Sequence, residues 1–417
     1  MLTADFALLD NPGDALKARC QLIRHARHRI LAQYYSWEED GSGKLLLAEL
    51  IRAARRGVRI RLLIDDLYGG DNRFLEAVAA EPGIEVRLFN PFWLRGWRPL
   101  TLLLEGVLSF RRINHRMHNK LLLVDGSQAV IGGRNIGDRY FGLGPPPHFI
   151  DLDLLCRGPL CQQAEQGFDL FWYSRWSHPV RRLLRRALSP AEVTVLNDFL
   201  LTLTEPAVAA VYDLPVSLFD DEPVSLRWHP GRGECWFDRP GKGLVSRPAT
   251  APLLGRKLAG NLGDLRLVSP YLILTRSLRR QLRAQRRAGV GIEILTNSLA
   301  STDVPLVYGA YRRHRPWLER QGIALFELVG EEVSLHAKLI LMGREEALLG
   351  SFNLDPRSLM LNTELMLHLR CPVLCDELQQ LIDGWLQQAV HPVAASPSAW
   401  RRLLAQLSDW LPLHRWL

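Results

Sequence analysis

Apolar and polar positions follow one order in the first half of this chain and repeat it in the second. In the first half the apolar run RILAQYYSW leads through a stretch of helical spacing to RAARRGVRIRLLIDD. In the second half LRLVSPYLIL leads in the same way to RAQRRAGVGIEILTN. Each reads as strand, Arg-rich helix and strand, with Gly57 or Gly289 placed to end the helix in a left-handed cap. That order implies parallel strands joined by a helical crossover. Further strands follow, IEVRLFN and IALFELV, and then the unbroken apolar runs inside HNKLLLVD and HAKLILMG. Short unbroken runs of this kind suit strands covered on both faces. The expectation is an α/β protein of two pseudo-symmetric halves, each a mainly parallel or mixed sheet flanked by helices. The halves divide as residues 1–215 and 216–417, within a Pro- and Gly-rich region, 190–260, that lacks clean periodicity.

Composition adds limits to this picture. Hydrophobic residues make up 47% of the 417, enough for a sizeable core. No run of about eighteen apolar residues occurs, so no transmembrane helix is expected. The N-terminal stretch has no basic segment followed by an apolar one and does not read as a secretory signal. The six cysteines, Cys20, Cys156, Cys161, Cys235, Cys371 and Cys375, form no C-x-x-C pair and sit beside no histidine cluster. They read as reduced, buried thiols, with no metal site. A net charge of +8 favours anionic partners, nucleic acid or anionic lipid. Only six of the 52 basic residues are lysines, which makes the position of each lysine informative.

Two of those lysines carry the chemistry. Lys120 and Lys338 each follow a histidine, His118 and His336, by two positions at the start of an apolar run. Residues two apart on a strand point to the same face, so each pair presents an imidazole beside an ammonium. Composition alone gives a lysine such a histidine with a probability of about 3%. The match continues downstream: Asn135 and Asn353 each lie 17 residues past their histidine, preceded by Gly133 and Ser351. Small residues at those two positions would let a phosphate approach the backbone. Each segment then reaches an acid, Asp153 or Glu364. Taken singly, a histidine on an apolar strand is usually a core residue, and an asparagine in a Gly-rich turn serves the turn. Those needs do not explain the same set appearing twice.

The segments HNKLLLVDG…GGRN and HAKLILMG…GSFN, motif regions 113–140 and 331–358, resemble the paired HxKxxxxD motifs of the phospholipase D superfamily. The resemblance extends to QYYSW, RGVRIRLLIDD, IEVRLFNPF, NHRMHNK, GGRNIGDRYFG, FDLFWYS and GSFNLDPRSLMLNTE, and is nearest to the C-type branch of bacterial cardiolipin synthases. It implies two phospholipase D-like halves sharing one active site. The first motif is whole, with His118, Lys120 and Asp125; the second has Gly343 at its Asp position. By resemblance that Asp sits behind the His–Lys face, so its loss bears on the stability of the second half more than on chemistry.

The resemblance also implies a mechanism. His118 would attack phosphorus as nucleophile and His336 would act as general acid and base. Lys120, Lys338, Asn135 and Asn353 would hold the non-bridging oxygens. Asp153 and Glu364 would bond the far ring nitrogens and orient the imidazoles. The reaction implied is phosphatidyl transfer from a second phospholipid, with phosphatidylethanolamine indicated for the C-type branch, onto phosphatidylglycerol. No cofactor or metal is expected. The expected partners are phospholipid substrates and an anionic membrane surface, with no nucleic acid. The expected location is the bacterial cytoplasm, peripheral on the membrane. Two amphipathic stretches, 93–110 and AWRRLLAQLSDWLPLHRWL at the end of the chain, suit such a surface. The alternatives are a phospholipase D hydrolase and a nuclease of the same type.

Overall fold

The computed structural model describes residues 1–69, 73–92, 109–183, 187–391 and 399–410. The first half contributes β1 (Leu2–Leu9), β2 (Arg29–Tyr34), β3 (Arg59–Asp65), β4 (Ile84–Phe89), β5 (Leu121–Val124), β6 (Gln128–Gly132), β7 (His148–Ile150), β8 (Asp153–Arg157) and β9 (Ser177–Pro179). The second contributes β10 (Trp228–Phe237), β11 (Leu265–Val268), β12 (Ile292–Asn297), β13 (Ala324–Leu328), β14 (Val333–Leu335), β15 (Leu339–Met342), β16 (Glu346–Gly350), β17 (Leu365–Arg370) and β18 (Ala389–Val390). All but β7 and β14 form one 16-stranded sheet, β18-β13-β12-β11-β15-β16-β17-β10-β1-β8-β6-β5-β2-β3-β4-β9. Read outward from its centre, the sheet repeats strand for strand. The halves meet where β1 pairs antiparallel with β10. They are tied a second time by β7 and β14, which pair parallel.

Within each half the expected crossover is present. The helix Gly41–Arg55 links parallel β2 and β3, and the helix Arg276–Arg287 links parallel β11 and β12. Asp40 and Thr275 cap these helices by accepting from the amides of Gly43 and Leu278. Both helices end at a glycine of positive φ, +95° at Gly57 and +86° at Gly289, where a Cβ would be strained. The motif strands β5 and β15 run antiparallel to β2 and β11, so each half is a mixed sheet.

Apolar clusters cover both faces. Leu122 and Val124 of β5 join a cluster under the helices Pro12–His25 and Gly41–Arg55, while Leu121 and Leu123 face the other way. That other face is shared by both halves, where Phe168 and Trp172 of one helix and Leu374 and Leu378 of its counterpart belong to a single cluster. Burying one such side chain stabilises the fold by about 1.5–3 kcal/mol, so the halves are held together by more than their hydrogen bonds. All six cysteines are buried thiols.

Residues 190–226 stay with the first half. Leu200, Leu214 and Leu218 enter its core, Lys17 pairs with Asp220 at 2.5 Å, and Gln21 donates to Glu222 O at 2.7 Å. The second half therefore begins at β10, past the division expected at residue 215. β10 is hidden in the sequence by Pro230, Gly231 and Gly233. A Cβ at Gly231 would lie 2.9 Å from Cys371 Cβ, and one at Gly233 would lie 3.0 Å from the Phe6 ring. Glycine is required there because β10 runs between two crowded neighbours.

Candidate active site

The two motif histidines are placed by matching devices. Each follows a residue anchored by the polar last residue of a parallel strand. Met117 N donates to Asp65 Oδ2, and Leu335 N donates to Asn297 Oδ1, both at 2.8 Å. Each histidine amide then crosses to the other half: His118 N donates to Thr363 O at 2.9 Å and His336 N to Ile150 O at 2.7 Å. Asp65 and Asn297 were not singled out from the sequence. Their signal is a polar side chain ending an apolar strand at matching positions in RLLID and EILTN.

The rings cross over as well. His118 Nδ1 lies 2.9 Å from Glu364 Oε2, and His336 Nδ1 lies 2.5 Å from Asp151 Oδ2. Each carboxylate thus accepts a hydrogen bond from Nδ1–H of the other half's histidine, which leaves Nε2 with its lone pair. Neither Nε2 has a partner among the described residues. Both histidines are 6% exposed, and each feels the charge of the other half's motif lysine, so the two motifs form one site. Tyr35 stands edge-on to His118 at 5.0 Å between ring centres, and Tyr140 to His336 at 5.2 Å.

Asp151, not Asp153, is therefore the acid at His336. Asp153 instead accepts from Arg19 Nη2 at 2.8 Å and lies 3.2 Å from Arg134 Nη1, all three fully buried. The ladder explains the difference. Asp153 pairs with Gly132 and Met366 with Gly350, so Asp151 is the counterpart of Glu364. The small residues before the asparagines make room for these acids rather than for phosphate. A Cβ on Gly133 would lie 2.1 Å from Asp151 Oδ1, and the Ser351 hydroxyl donates to Glu364 Oε2.

Lys120 Nζ donates to His118 O at 2.7 Å and lies 5.2 Å from the centre of the Tyr35 ring. Lys338 Nζ donates to His336 O and lies 2.8 Å from His336 Nδ1. Asn135 donates to the Tyr140 hydroxyl at 2.8 Å and accepts from Ser36 N at 3.3 Å. Asn353 is buried, and its Oδ1 has no partner among the described residues.

Asp125 lies apart from the two histidines. It sits at φ +51° in the turn after β5, and its carboxylate accepts from the amides of Arg27, His28 and Arg29 at 2.8–2.9 Å. It holds the entry to β2 and touches neither histidine nor lysine, so it is not a catalytic residue. Gly343 occupies the matching turn after β15 at φ +62°.

The electrostatics follow from burial. Burial pushes His118 down to about 4, with Glu364 opposing, and His336 down to about 3, with Lys338 adding to the effect and Asp151 opposing it. Burial alone would raise Asp151, but His336 and Lys338 hold its carboxyl well below the usual carboxylate range. Burial also lowers Lys338, to about 8, and Lys120, to which the Lys338 charge contributes. Both imidazoles are thus neutral at pH 7, which is the state a nitrogen nucleophile needs. Among the described residues no group of three or more His, Cys, Asp or Glu could hold a metal ion.

Comparison with known proteins fits this arrangement. The family model described as "Cardiolipin synthase, PLD-like domain" matches residues 19–172 and 262–386. Cardiolipin synthase C of Escherichia coli (strain K12) is 34% identical, over 98% of this chain and 95% of that protein. Cardiolipin synthase A of Pseudomonas fluorescens (strain SBW25) is 27% identical, over 96% and 72%. The crystal structure of phosphatidylserine synthase from Haemophilus influenzae Rd KW20 shares the fold, with a TM-score of 0.70 at 15% identity over 97% of this chain and 93% of that one. With one family-model match in each half, and each half completing the other's histidine, the chain belongs to the phospholipase D-like family of cardiolipin synthases.

Proposed function

We propose that this protein is a phosphatidyltransferase that makes cardiolipin from phosphatidylglycerol and a second phospholipid, through a phosphohistidine intermediate. The observation that carries the reading is the crossed pair of His–carboxylate contacts, which leaves each Nε2 without a partner among the described residues. His118 Nε2 attacks the donor phosphorus, and His336, which takes up a proton on Nε2 when the phosphodiester anion binds, gives that proton to the leaving headgroup oxygen. His336 then takes the proton of the acceptor hydroxyl as its oxygen displaces His118. Such acid–base assistance contributes typically about 10²–10⁴-fold. Lys120, Lys338 and the Asn353 side chain hold the non-bridging oxygens and offset their charge. The names of the relatives support cardiolipin as the product, and the C-type resemblance supports phosphatidylethanolamine as donor.

The protein works at an anionic bacterial membrane surface from the cytoplasmic side, in this reading. No single helix among the described residues is long and apolar enough to cross a membrane. Support for surface contact comes from the helix Ala399–Trp410, where Trp400 and Leu403 are 65% and 48% exposed while Arg401 Nη1 ties the helix to Thr302 O at 2.7 Å. The other amphipathic stretch, 93–110, lies almost wholly outside the described residues. Thin-layer analysis of lipids from cells expressing the protein tests the assignment: new cardiolipin supports it, and its loss in His118→Ala ties it to this site. Plasmid nicking by purified protein without any lipid product would favour the nuclease alternative instead.

A further inference from the structure

The turn that lacks its motif acid is built in register with the one that has it. In the first half Asp125 N donates to Arg29 O at 2.9 Å, and the Asp125 carboxylate accepts from the amides of Arg27, His28 and Arg29. In the second half Gly343 N donates to Asp264 O at 2.8 Å. Ile30 pairs with Val124 just as Leu265 pairs with Met342. Leu262, Gly263 and Asp264 are therefore the counterparts of Arg27, His28 and Arg29. Their three amides have no hydrogen-bond partner among the described residues. The polar side chains beside them are engaged elsewhere: Asn261 Nδ2 donates to Gly263 O, and Asp264 Oδ1 accepts from Gly291 N at 2.8 Å. The same backbone device thus holds a carboxylate in one half and offers its donors to solvent in the other.

Space and charge agree with that offer. A Cβ on Gly343 would meet nothing nearer than Gly263 Cα at 3.8 Å, so there is room on the side where an Asp side chain would lie. The room belongs to a surface groove of about 520 Å³ lined by Gly263, Gly343 and four cations, Arg256, Lys257, Arg344 and Arg370, against two carboxylates. Both carboxylates are already matched: Glu346 faces Lys257 and Glu345 faces Arg370, each at 2.5 Å. Arg256 and Arg344 are exposed and have no ion pair among the described residues. Arg256, in the last turn of the helix Thr250–Ala259, also suits that helix end; Arg344 has no such second use. We propose that this groove is a non-catalytic site for a phosphate group, free or on a lipid headgroup, whose oxygens accept from the amides of Leu262, Gly263 and Asp264 while Arg256 and Arg344 pair with its charge.

Phosphate fits better than a carboxylate here. Three amides and two guanidinium groups are more donors than two oxygens can well receive, and the planar fork of arginine suits a phosphate. The charge of a phosphate dianion also matches the two unpaired arginines. The site is separate from the reaction: Gly343 stands beyond the far end of β15 from Lys338, roughly 17 Å along the strand at the usual rise. A ligand bound there gives the second half the bonds that the first half has from its own Asp125, so folding of the second half becomes linked to the anion.

The test is thermal melting of the full-length protein in rising inorganic phosphate at constant ionic strength, for the wild type and Gly343→Asp. In the variant the new carboxylate holds the three amides itself. The wild-type melting temperature should rise with phosphate, that of the variant should stay level, and the difference between them should close. A double variant, Arg256→Gln with Arg344→Gln, changes only exposed side chains and should raise the phosphate concentration needed by roughly tenfold or more. Flotation with phosphatidylcholine vesicles carrying phosphatidic acid separates the two sources. Vesicle binding that Gly343→Asp abolishes puts the phosphate on a lipid; binding that the variant retains, or no binding, leaves free phosphate as the ligand. A rise of equal size in the wild type and both variants would mean that phosphate acts elsewhere. That result overturns the site, as does the absence of any rise in the wild type.

Discussion

His118 Nδ1 and Glu364 Oε2 lie 2.9 Å apart across 246 positions of sequence, and His336 and Asp151 repeat the contact in the opposite sense. Neither half owns a finished histidine. A double-mutant cycle on unfolding free energy should therefore find coupling of about 1 kcal/mol or more for His118 with Glu364 and for His336 with Asp151. His118 with Asp151 should be additive within about 0.5 kcal/mol. Coupling within halves rather than between them would contradict the crossed arrangement.

The two neighbouring acids of DLDLL separate by function. Asp151→Asn should lower headgroup release by about 10²-fold, because His336 loses the charge that orients and supports it, with a smaller effect on stability. Asp153→Asn should do the reverse, destabilising by about 3–5 kcal/mol because Arg19 and Arg134 stay buried without their counter-ion. Urea unfolding beside turnover distinguishes the two.

These residues also mark how far the sequence could be read. The His–Lys pairs and the asparagines were legible because a two-residue strand period and a 17-residue spacing each occur twice. The choice between Asp151 and Asp153 was not, because residues two apart share a strand face and either can follow the motif. Crossing was equally hidden: an internal repeat is as compatible with each histidine using its own half's acid. β10 escaped because Gly231 and Gly233 answer to Cys371 and Phe6, neighbours far away in the chain. The need for small residues at Gly133 and Ser351 comes from Asp151 and Glu364, which stand just before the neighbouring strands β8 and β17 and are set against them only by the fold.

Gly343 offers a substitution that should strengthen the protein. In the first half Asp125 satisfies three amides, and those bonds overcome the effect of burial and lower its pKa. A carboxyl depressed on folding stabilises above its unfolded pKa of about 3.8, and that contribution is lost as the pH falls further. Gly343→Asp has room, since a Cβ there would meet nothing closer than Gly263 Cα at 3.8 Å, and Asp tolerates the left-handed conformation. It should raise stability by about 1 kcal/mol, and Asp125→Gly should lower it by a similar amount. Thermal melts at pH 7 and pH 3 read this out: the gain should be present at the first and shrink at the second.

Proton uptake should accompany substrate binding. Both rings are neutral at pH 7, with pKa values pushed down to about 4 and about 3. A phosphodiester anion between the two Nε2 atoms supplies the negative charge that lets one ring become the acid. Calorimetry with a nonhydrolysable phosphodiester, in buffers of different ionisation enthalpy, should find about one proton taken up per site at pH 7 and weaker binding as the pH rises. The free protein shows the same linkage. A histidine whose folded pKa lies below its ordinary 6.5 stabilises the fold while neutral, so this contribution is full above pH 6.5 and is lost as the pH falls toward 4 and 3. No proton uptake on binding would mean that the rings already carry the proton.

The most direct test is a reconstitution. Purified protein is added to vesicles of phosphatidylglycerol and phosphatidylethanolamine, and the lipids are followed by mass spectrometry, with His118→Ala and His336→Ala alongside. The account predicts cardiolipin and free ethanolamine from the wild type and neither from the two variants. Headgroup release with phosphatidic acid as the sole lipid product, or cardiolipin that persists in His118→Ala, would contradict it.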